Sequence, residues 1–169
     1  MDKYKLLAVK IFALYDNRFP AAKRLLDTVS KEASDQGEIR TILNRRTTFD
    51  LFAPRFGKAK PLPYNKAVAA YGNGVIRADT YKALNYKLQG SAADLIKKGM
   101  LDAYKEGLFD KVGYPHIQVH DELNFSYHPD LRKDFLDIIE VMENTLQLKV
   151  PVRMDAEIGP DWGHCETPL

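Results

Sequence analysis

The sequence predicts an α+β fold in which a helical N-terminal part precedes a mixed C-terminal part. Apolar residues recur at helical spacing in the first 36 residues, and a proline-free stretch rich in alanine, leucine and lysine begins near residue 77. Apolar and polar residues alternate instead between residues 116 and 127, which is typical of half-buried strands. The hydrophobic content of 45% is ordinary for a protein that buries a core.

Two helices that meet near Pro20 are predicted for residues 1–36. A proline suits the first turn of a helix, so Pro20 can begin the second one, and Gly37 is a plausible stop signal. β-branched residues on both sides of Asn44 indicate a short pair of extended segments. The apolar positions of the two helices are Leu6, Leu7, Val9, Ile11, Phe12 and Leu14, then Ala21, Leu25, Leu26 and Val29.

Residues 54–75 differ in composition from the segments on either side. They combine prolines and glycines with basic side chains, and glycine and proline interrupt regular structure. We therefore expect an irregular basic connection here, with a first domain over residues 1–75 and a second over residues 76–169. The residues concerned are Pro54, Pro61, Pro63, Gly57, Gly72, Gly74, Arg55, Lys58, Lys60 and Lys66.

The C-terminal half is predicted to run helix, hairpin, helix, strand. A long helix over about 77–106 should end at Gly107, and a helix over 131–146 should precede a strand near 152–158. The predicted apolar positions are Leu84, Leu88, Leu95 and Ile96 in the long helix, Ile117, Val119, Leu123, Phe125 and Tyr127 in the hairpin, and Phe135, Ile138, Ile139 and Met142 in the second helix.

Charge and cysteine content narrow the function classes only slightly. The net charge of +2 does not identify a nucleic-acid binder, because phosphate recognition depends on how basic residues cluster. The single cysteine, Cys165, cannot form an internal disulfide and supplies no zinc-ligand set. Charged residues interrupt the first 19 residues, which argues against a signal peptide or a membrane span. We expect a soluble, cytoplasmic protein with no membrane partner.

Adjacent acids, Asp121 and Glu122, follow His120 where the predicted hairpin must reverse. The segment lacks the Asn-Gly or Asp-Gly pair that favours a tight turn. Two neighbouring carboxylates repel each other unless a cation or solvent relieves them, and Mg²⁺ commonly binds one or two protein carboxylates together with substrate phosphates. The pattern fits a magnesium site, and it also fits a solvated acidic hairpin tip.

Polar side chains with the chemistry to contact nucleic acid occur in two further places. Asn85 and Gln89 lie one helical turn apart, on the same predicted face as Tyr81, and amides can bind the acceptors that every base pair offers in the minor groove. Arg45 and Arg46 precede the basic segment 54–75 and could bind phosphates. A solvated helix face and a solvated basic loop are the alternatives.

Two segments, LNYKLQGSAADLIK at 84–97 and QVHDELNF at 118–125, resemble signatures of family A, or DNA polymerase I-like, DNA polymerases in that family's order. With FP at 19–20, GEIRTILNRR at 37–46 and GPDW at 159–162, the resemblance extends from about residue 5 to residue 163. It implies the end of a fingers subdomain followed by the C-terminal part of a palm subdomain. The chain is more similar to bacteriophage members than to bacterial repair enzymes.

The resemblance implies a role for each of these residues. Asp121 corresponds to the motif C aspartate that helps to hold two magnesium ions, Glu122 to its accessory neighbour, and His120 to a residue beside the primer terminus. Asn85 and Gln89 correspond to helix positions on the minor-groove side of the primer-template end. Tyr81, by contrast, stands where the family often has an arginine.

The implied reaction is template-directed DNA synthesis, in which a primer 3'-hydroxyl attacks the α-phosphate of a dNTP between two metal ions. The family also needs a motif A aspartate and a fingers helix, and residues 1–75 contain neither. We expect this chain to be one piece of a split polymerase. A separate N-terminal chain would carry motif A, the fingers helix and the thumb. The position of Met1, just past the fingers helix, motivates this expectation. The alternatives are a non-catalytic DNA-binding or regulatory remnant of a polymerase, and an unrelated metal-dependent phosphohydrolase that uses His120, Asp121 and Glu122.

Overall fold

The computed structural model describes residues 3–169, which form helices and small antiparallel sheets, so the predicted α+β class is confirmed. The chain divides into two compact units, of which the first ends at Gly90 and the second spans Ser91–Leu169. Each unit has its own apolar core. The predicted domain boundary after residue 75 stays a prediction.

The two N-terminal helices are confirmed as α1 (Lys3–Arg18) and α2 (Pro20–Gln36). Pro20 is the first residue of α2, where its missing N–H costs no helical hydrogen bond. Gly37 caps the helix in a left-handed conformation with φ 75°, and its N–H donates to the carbonyl of Ala33. The glycine therefore ends α2 as the sequence predicts.

Helix α1 exposes its apolar side chains. None of its described side chains is buried, and the large apolar ones are all accessible to solvent. An apolar surface of this kind is unusual in a monomeric protein and favours association. The exposed residues are Tyr4, Leu6, Leu7, Val9, Ile11, Phe12, Leu14 and Tyr15.

The short extended pair is confirmed as β1 (Glu38–Arg40) and β2 (Arg46–Thr48), which pair antiparallel. Asn44, in the loop between them, has a left-handed φ of 66°, a conformation that asparagine tolerates better than most residues. Ile39 of β1 is part of the buried core of the first unit. The core consists of Val29, Ala33, Ile39, Phe49 and Ala83.

The prediction of an irregular connection over residues 54–75 was wrong. Strands β3 (Leu51–Pro54), β4 (Leu62–Pro63) and β5 (Val75–Arg77) form a three-stranded antiparallel sheet in the order β4-β3-β5, and helix α3 (Tyr64–Tyr71) lies between β4 and β5 in sequence. Pro54 and Pro63 are the last residues of β3 and β4, where the loss of an N–H donor is tolerated. Proline and glycine here mark the ends of regular elements.

The long helix begins later than predicted. Helix α4 (Ala83–Lys105) follows a 3₁₀ turn at Thr80–Lys82, and Asp79, with a left-handed φ of 61°, precedes that turn. Gly107 ends the helical stretch, with φ 71°. The predicted apolar face is correct for buried Ile96 but wrong for Leu88, which is 56% exposed. A short helix, α5 (Leu108–Val112), was not predicted, because five residues carry too little periodicity.

The hairpin and the helix after it are confirmed as β6 (Ile117–Val119), β7 (Glu122–Asn124) and α6 (Arg132–Asn144). The predicted strand over 152–158 shortens to β8 (Glu157–Ile158), which pairs with β9 (Thr167–Pro168). Within the described residues, 152–156 have no strand beside them, so they form no ladder.

The core of the second unit fixes the hairpin against α6. Buried Phe135 and Ile138 of α6 belong to this core, and Leu123 and Phe125 of the hairpin pack against it. The rings of Phe125 and Phe135 meet edge to face with their centroids 5.6 Å apart. None of the described helices has both the length and the apolar content needed to cross a bilayer.

Candidate functional site

The hairpin that carries the acidic pair reverses over two residues, His120 and Asp121, because Val119 pairs with Glu122. His120 has a left-handed φ of 53°. Two-residue hairpin loops normally place glycine or asparagine at such positions, and a histidine there costs about 1–2 kcal/mol. Strain of this kind clusters at functional sites.

Glu122 is oriented by a tryptophan 40 residues away in the sequence. The indole Nε1 of Trp162 donates a hydrogen bond of 2.7 Å to Glu122 Oε1. No role was predicted for Trp162 from the sequence. The signal available was that it is the only tryptophan of the chain and lies in the GPDW segment.

The turn that presents Trp162 is itself braced by Asp161. Its Oδ1 accepts a hydrogen bond of 2.9 Å from the Gly163 N–H and lies 2.8 Å from Nδ1 of His164. A Cβ atom on Gly159 would lie 1.9 Å from the carbonyl oxygen of His164. Only glycine therefore allows the close backbone approach that forms this turn.

Asp121 differs from its neighbour in that its carboxylate forms no hydrogen bond or ion pair with any of residues 3–169, and it is exposed. A hard carboxylate oxygen that is accessible in this way fits Mg²⁺, which binds one or two protein carboxylates and substrate oxygens. Among the described residues, however, no group of three or more His, Cys, Asp or Glu side chains could hold a metal ion. The acidic pair by itself therefore does not make up a metal site.

A cavity of about 540 Å³ lies beside the acidic pair; we call it the hairpin cavity. It is lined by β7, by the apolar face of α6 and by the segment 154–158, and Asp121 and Glu122 lie at it. Asn124 of β7 also lines it, and its Nδ2 atom is buried without a hydrogen-bond partner among the described residues. No local pattern of residues predicts this cavity.

Glu143 ties the end of α6 to the segment that lines the hairpin cavity. Its Oε1 accepts a hydrogen bond of 2.8 Å from the Met154 N–H, and its Oε2 accepts one of 2.8 Å from Arg153 Nη1. The backbone hydrogen bond from Met154, followed by the guanidinium of Arg153, lowers the pKa of the Glu143 carboxyl. The ionised carboxylate thus holds this wall of the cavity in place.

The amides predicted to contact DNA lie in the first unit. Asn85 and Gln89 are both exposed and, four residues apart in α4, project from the same side of the helix. Tyr81 is 68% exposed in the preceding 3₁₀ turn, with Lys82 Nζ 5.4 Å from its ring centroid. The predicted grouping of two amides and a tyrosine on one accessible stretch is therefore present.

The two arginines predicted to contact phosphates make contacts inside the first unit. Arg45 Nη2 donates a hydrogen bond of 2.9 Å to the carbonyl of Gly90, and Arg46 Nη1 lies 3.5 Å from Glu38 Oε2. Both arginines are nonetheless exposed. Exposed ion pairs such as that of Arg46 exchange easily, so the contact with Glu38 does not preclude a phosphate ligand.

Residues 5–164 match the family described as DNA polymerase family A, which is nearly the whole chain. The chain belongs to DNA polymerase family A. It is 33% identical over 150 residues to a DNA-directed DNA polymerase of Pseudomonas phage M6, a match that covers 89% of this chain and 18% of the relative. It is also 33% identical over 157 residues to DNA polymerase I of Rhizobium leguminosarum, with 88% of this chain and 14% of the relative covered.

A solved structure of the family shares the fold. It is described as the POL domain of Pol1 from M. smegmatis in complex with DNA primer-template and dNTP, and it superposes with a TM-score of 0.58 at 28% identity. That match covers 81% of this family A chain and 22% of the solved chain. The chain therefore spans less than a fifth of the two curated relatives and about a fifth of the solved one.

Proposed function

We propose that this chain supplies part of the active site of a DNA-directed DNA polymerase that transfers nucleotides from dNTPs to a primer 3'-hydroxyl by a two-metal mechanism. The observation that carries the proposal is the tip of the β6-β7 hairpin. There a strained His120 presents Asp121, and Trp162 orients Glu122. Family membership over residues 5–164 supports it, because the hairpin lies within the match.

In this proposal Asp121 is the metal ligand of the chain and Glu122 is accessory. Asp121 has an accessible carboxylate, whereas one oxygen of Glu122 is already engaged by Trp162. Bound Mg²⁺ would stabilise the negative charge that develops on the attacking and leaving oxygens. His120, at the same tip, is placed to contact the primer terminus.

Primer-template DNA is the proposed partner of the first unit. The exposed amides of Asn85 and Gln89 would contact minor-groove acceptors, which are similar in every base pair, so that pair geometry is tested without reading sequence. Tyr81 would lie beside them, where the family often has an arginine. Arg45 and Arg46 would contact phosphates. The solved relative contains primer-template DNA and dNTP, which supports this assignment by analogy.

The remaining parts of the site must come from residues outside these 169. We propose that motif A, the fingers helix and the thumb are supplied by a separate N-terminal polymerase chain or by a further segment of the same protein. A cytoplasmic location, the host cytoplasm if a phage encodes the chain, stays a prediction. Bacteriophage type also stays a prediction, because the phage and the bacterial relative share the same identity of 33%.

A chimera tests the proposal. The matched part of the phage M6 polymerase is replaced by this chain, and primer extension is measured with Mg²⁺, template and dNTPs. The expected result is primer extension that depends on both the template and Mg²⁺. DNA binding without extension would support a non-catalytic remnant, and phosphate release without template would support a phosphohydrolase; either result would overturn the proposal.

A further inference from the structure

The loop between β3 and β4, residues 55–61, carries an aromatic side chain among basic ones; we call it the β3-β4 loop. Phe56 lies between Arg55 and Lys58 in the sequence, and Lys60 follows two residues later. Phe56 is 84% exposed, more than any other large apolar side chain of the described residues, and the three basic side chains are exposed as well. The loop therefore presents an aromatic ring and three cations to the solvent.

The cations of this loop have no acidic partner. Residues 51–77 contain five basic residues and no aspartate or glutamate, although the whole chain has a net charge of only +2. Arg55, Lys58 and Lys60 form no side-chain hydrogen bond or ion pair with any of residues 3–169. An anion can therefore bind here without breaking an internal contact, and no nearby acid in the sequence weakens the positive potential.

The backbone of the loop is held at both ends. Phe52 of β3 pairs with Leu62 of β4, and the hydroxyl of Tyr71 in α3 donates a hydrogen bond of 3.0 Å to the carbonyl of Lys60. Gly57 has a left-handed φ of 91°, which glycine adopts without strain, so the chain can turn directly after the aromatic residue. A loop that is ordered before binding loses less entropy when a ligand binds.

Arg77 anchors the three-stranded sheet that carries the loop. Its Nη1 donates a hydrogen bond of 2.9 Å to the carbonyl of Phe49, a residue of the first unit's core. Its Cζ lies 5.0 Å from the ring centroid of Phe52 and would lie 2.6 Å from a Cβ atom on Gly37, so the guanidinium packs closely on the cap of α2. The sheet is therefore fixed to the core of the first unit.

An exposed aromatic ring among cations has the chemistry that binds single-stranded nucleic acid. Such sites combine positive charge along the backbone with aromatic side chains on which unpaired bases stack. Bases within a duplex are already stacked on each other, so a duplex could use the cations of the loop but not its ring. An acidic polypeptide would likewise match the charge and leave Phe56 without a specific partner.

We propose that the β3-β4 loop binds an unpaired segment of a DNA strand, with one base stacked on Phe56 and phosphates on Arg55, Lys58 and Lys60. The inference goes beyond the proposed function and rests on it only for the choice of DNA as the strand. The amides of α4 are assigned to paired DNA, whereas this loop would hold DNA that is not paired. It would thus add a second, separate contact to the template strand.

Anisotropy of a labelled oligothymidylate of about 12 nucleotides, titrated with the full 169-residue chain, tests the stacking contact. Phe56→Ala should weaken binding at least about fivefold, whereas binding of a blunt duplex of the same length should change less than about twofold. Phe12→Ala removes another exposed phenylalanine, 70% exposed in α1, and should leave both affinities unchanged. No loss with Phe56→Ala, or an equal loss for single strand and duplex, would overturn the proposal.

The salt dependence of the same binding tests the phosphate contacts. The logarithm of the association constant falls with the logarithm of salt concentration by about 0.7 for each phosphate contacted on a single strand. Lys58→Gln should therefore reduce this slope by about 0.7. Lys133→Gln makes the same charge change at an exposed position in α6 and should leave the slope unaltered. An equal effect of the two variants would show that only the net charge matters and would contradict the site.

Competition separates DNA from an acidic protein partner. Poly-glutamate supplies negative charge without bases, so at equal charge concentration it should displace the oligothymidylate poorly. Displacement as strong as that by unlabelled oligothymidylate, and equally strong with Phe56→Ala, would assign the loop to an acidic polypeptide and overturn the proposal.

The outcomes distinguish this inference from the proposed function. Single-strand binding that depends on Phe56, together with an inactive phage M6 chimera, would retain the loop site and reject the polymerase assignment. An active chimera whose single-strand affinity does not depend on Phe56 would do the reverse.

Discussion

Trp162 donates its indole N–H to Glu122 at 2.7 Å, which joins the C-terminal turn to the hairpin tip. The hydrogen bond holds the side chain of Glu122, which is the neighbour of Asp121. Trp162 lies outside the hairpin. Groups that orient the neighbours of metal ligands strongly affect metal binding. We therefore expect the turn at residues 159–165 to be part of the functional site.

Trp162→Phe keeps the aromatic ring but removes the donor to Glu122. In the chimera, primer extension should require a higher Mg²⁺ concentration, and its rate at low Mg²⁺ should fall by about tenfold. A magnesium titration of the extension rate measures this. Tyr104→Phe, which removes a polar group from another exposed aromatic residue, should leave the titration unchanged. An unaltered magnesium dependence in Trp162→Phe would show that the hydrogen bond has no role.

Gly159→Ala should displace the turn that carries Trp162. The new Cβ would collide with the His164 carbonyl oxygen, which is only 1.9 Å from its position, so the backbone must move. The intrinsic fluorescence of Trp162 should shift to longer wavelength as the indole loses its contact with Glu122. Gly163→Ala is the matched control, because its nearest contact would be the Asp161 side chain at 3.4 Å. Identical spectra for both variants would argue against a tightly constrained turn.

Gln89→Ala and Asn85→Ala should each weaken primer-template binding. Loss of one hydrogen bond of about 0.5–1.5 kcal/mol corresponds to a two- to tenfold weaker affinity. The loss should be the same for primers that end in different base pairs, because minor-groove acceptors are shared. Fluorescence anisotropy with labelled primer-template measures it, and Gln147→Ala, an exposed amide outside α4, is the control. A loss that depends strongly on sequence would contradict the proposed contact.

The hydrogen bonds of the Asp102 carboxylate should make the stability of the fold depend on pH. Hydrogen bonds from Lys98 and then Thr145 lower the pKa of the Asp102 carboxyl, so these bonds stabilise the fold above the ordinary carboxyl pKa. Asp102→Asn should lower the free energy of unfolding by about 1 kcal/mol at pH 7. The difference should disappear as the pH falls below about 4 and the carboxylate becomes protonated. Urea unfolding at several pH values, with Glu106→Gln as control, measures this; a difference that persists at pH 2 would contradict it.

Local sequence patterns predicted the elements that such patterns control. Three such features depend on only a few neighbouring residues. They are the start of α2 at Pro20, its left-handed cap at Gly37 and the alternation of apolar and polar residues around Asp121. The segment 54–75 was misjudged because Pro54 and Pro63 can end strands as well as interrupt them. Composition alone does not distinguish the two.

The features that were missed depend on contacts between distant residues. The bond between Trp162 and Glu122 spans 40 positions, and no periodicity encodes it. The left-handed φ of His120 could not be predicted either, because a histidine does not mark a tight turn in a sequence as glycine does. Residues 152–156 have strand-like alternation but no strand beside them among the described residues, which no local pattern can show.

Asp121→Asn in the phage M6 chimera tests whether Asp121 holds a catalytic metal ion. The amide keeps the size of the side chain but is a much poorer magnesium ligand, so extension should fall at least about 100-fold, equivalent to roughly 3 kcal/mol of transition-state stabilisation. Primer-template affinity and the melting temperature should stay near those of the unmodified chimera. The reason is that the Asp121 carboxylate forms no hydrogen bond or ion pair with any other described residue. Extension at an unchanged rate would contradict the claim that Asp121 holds a catalytic metal ion.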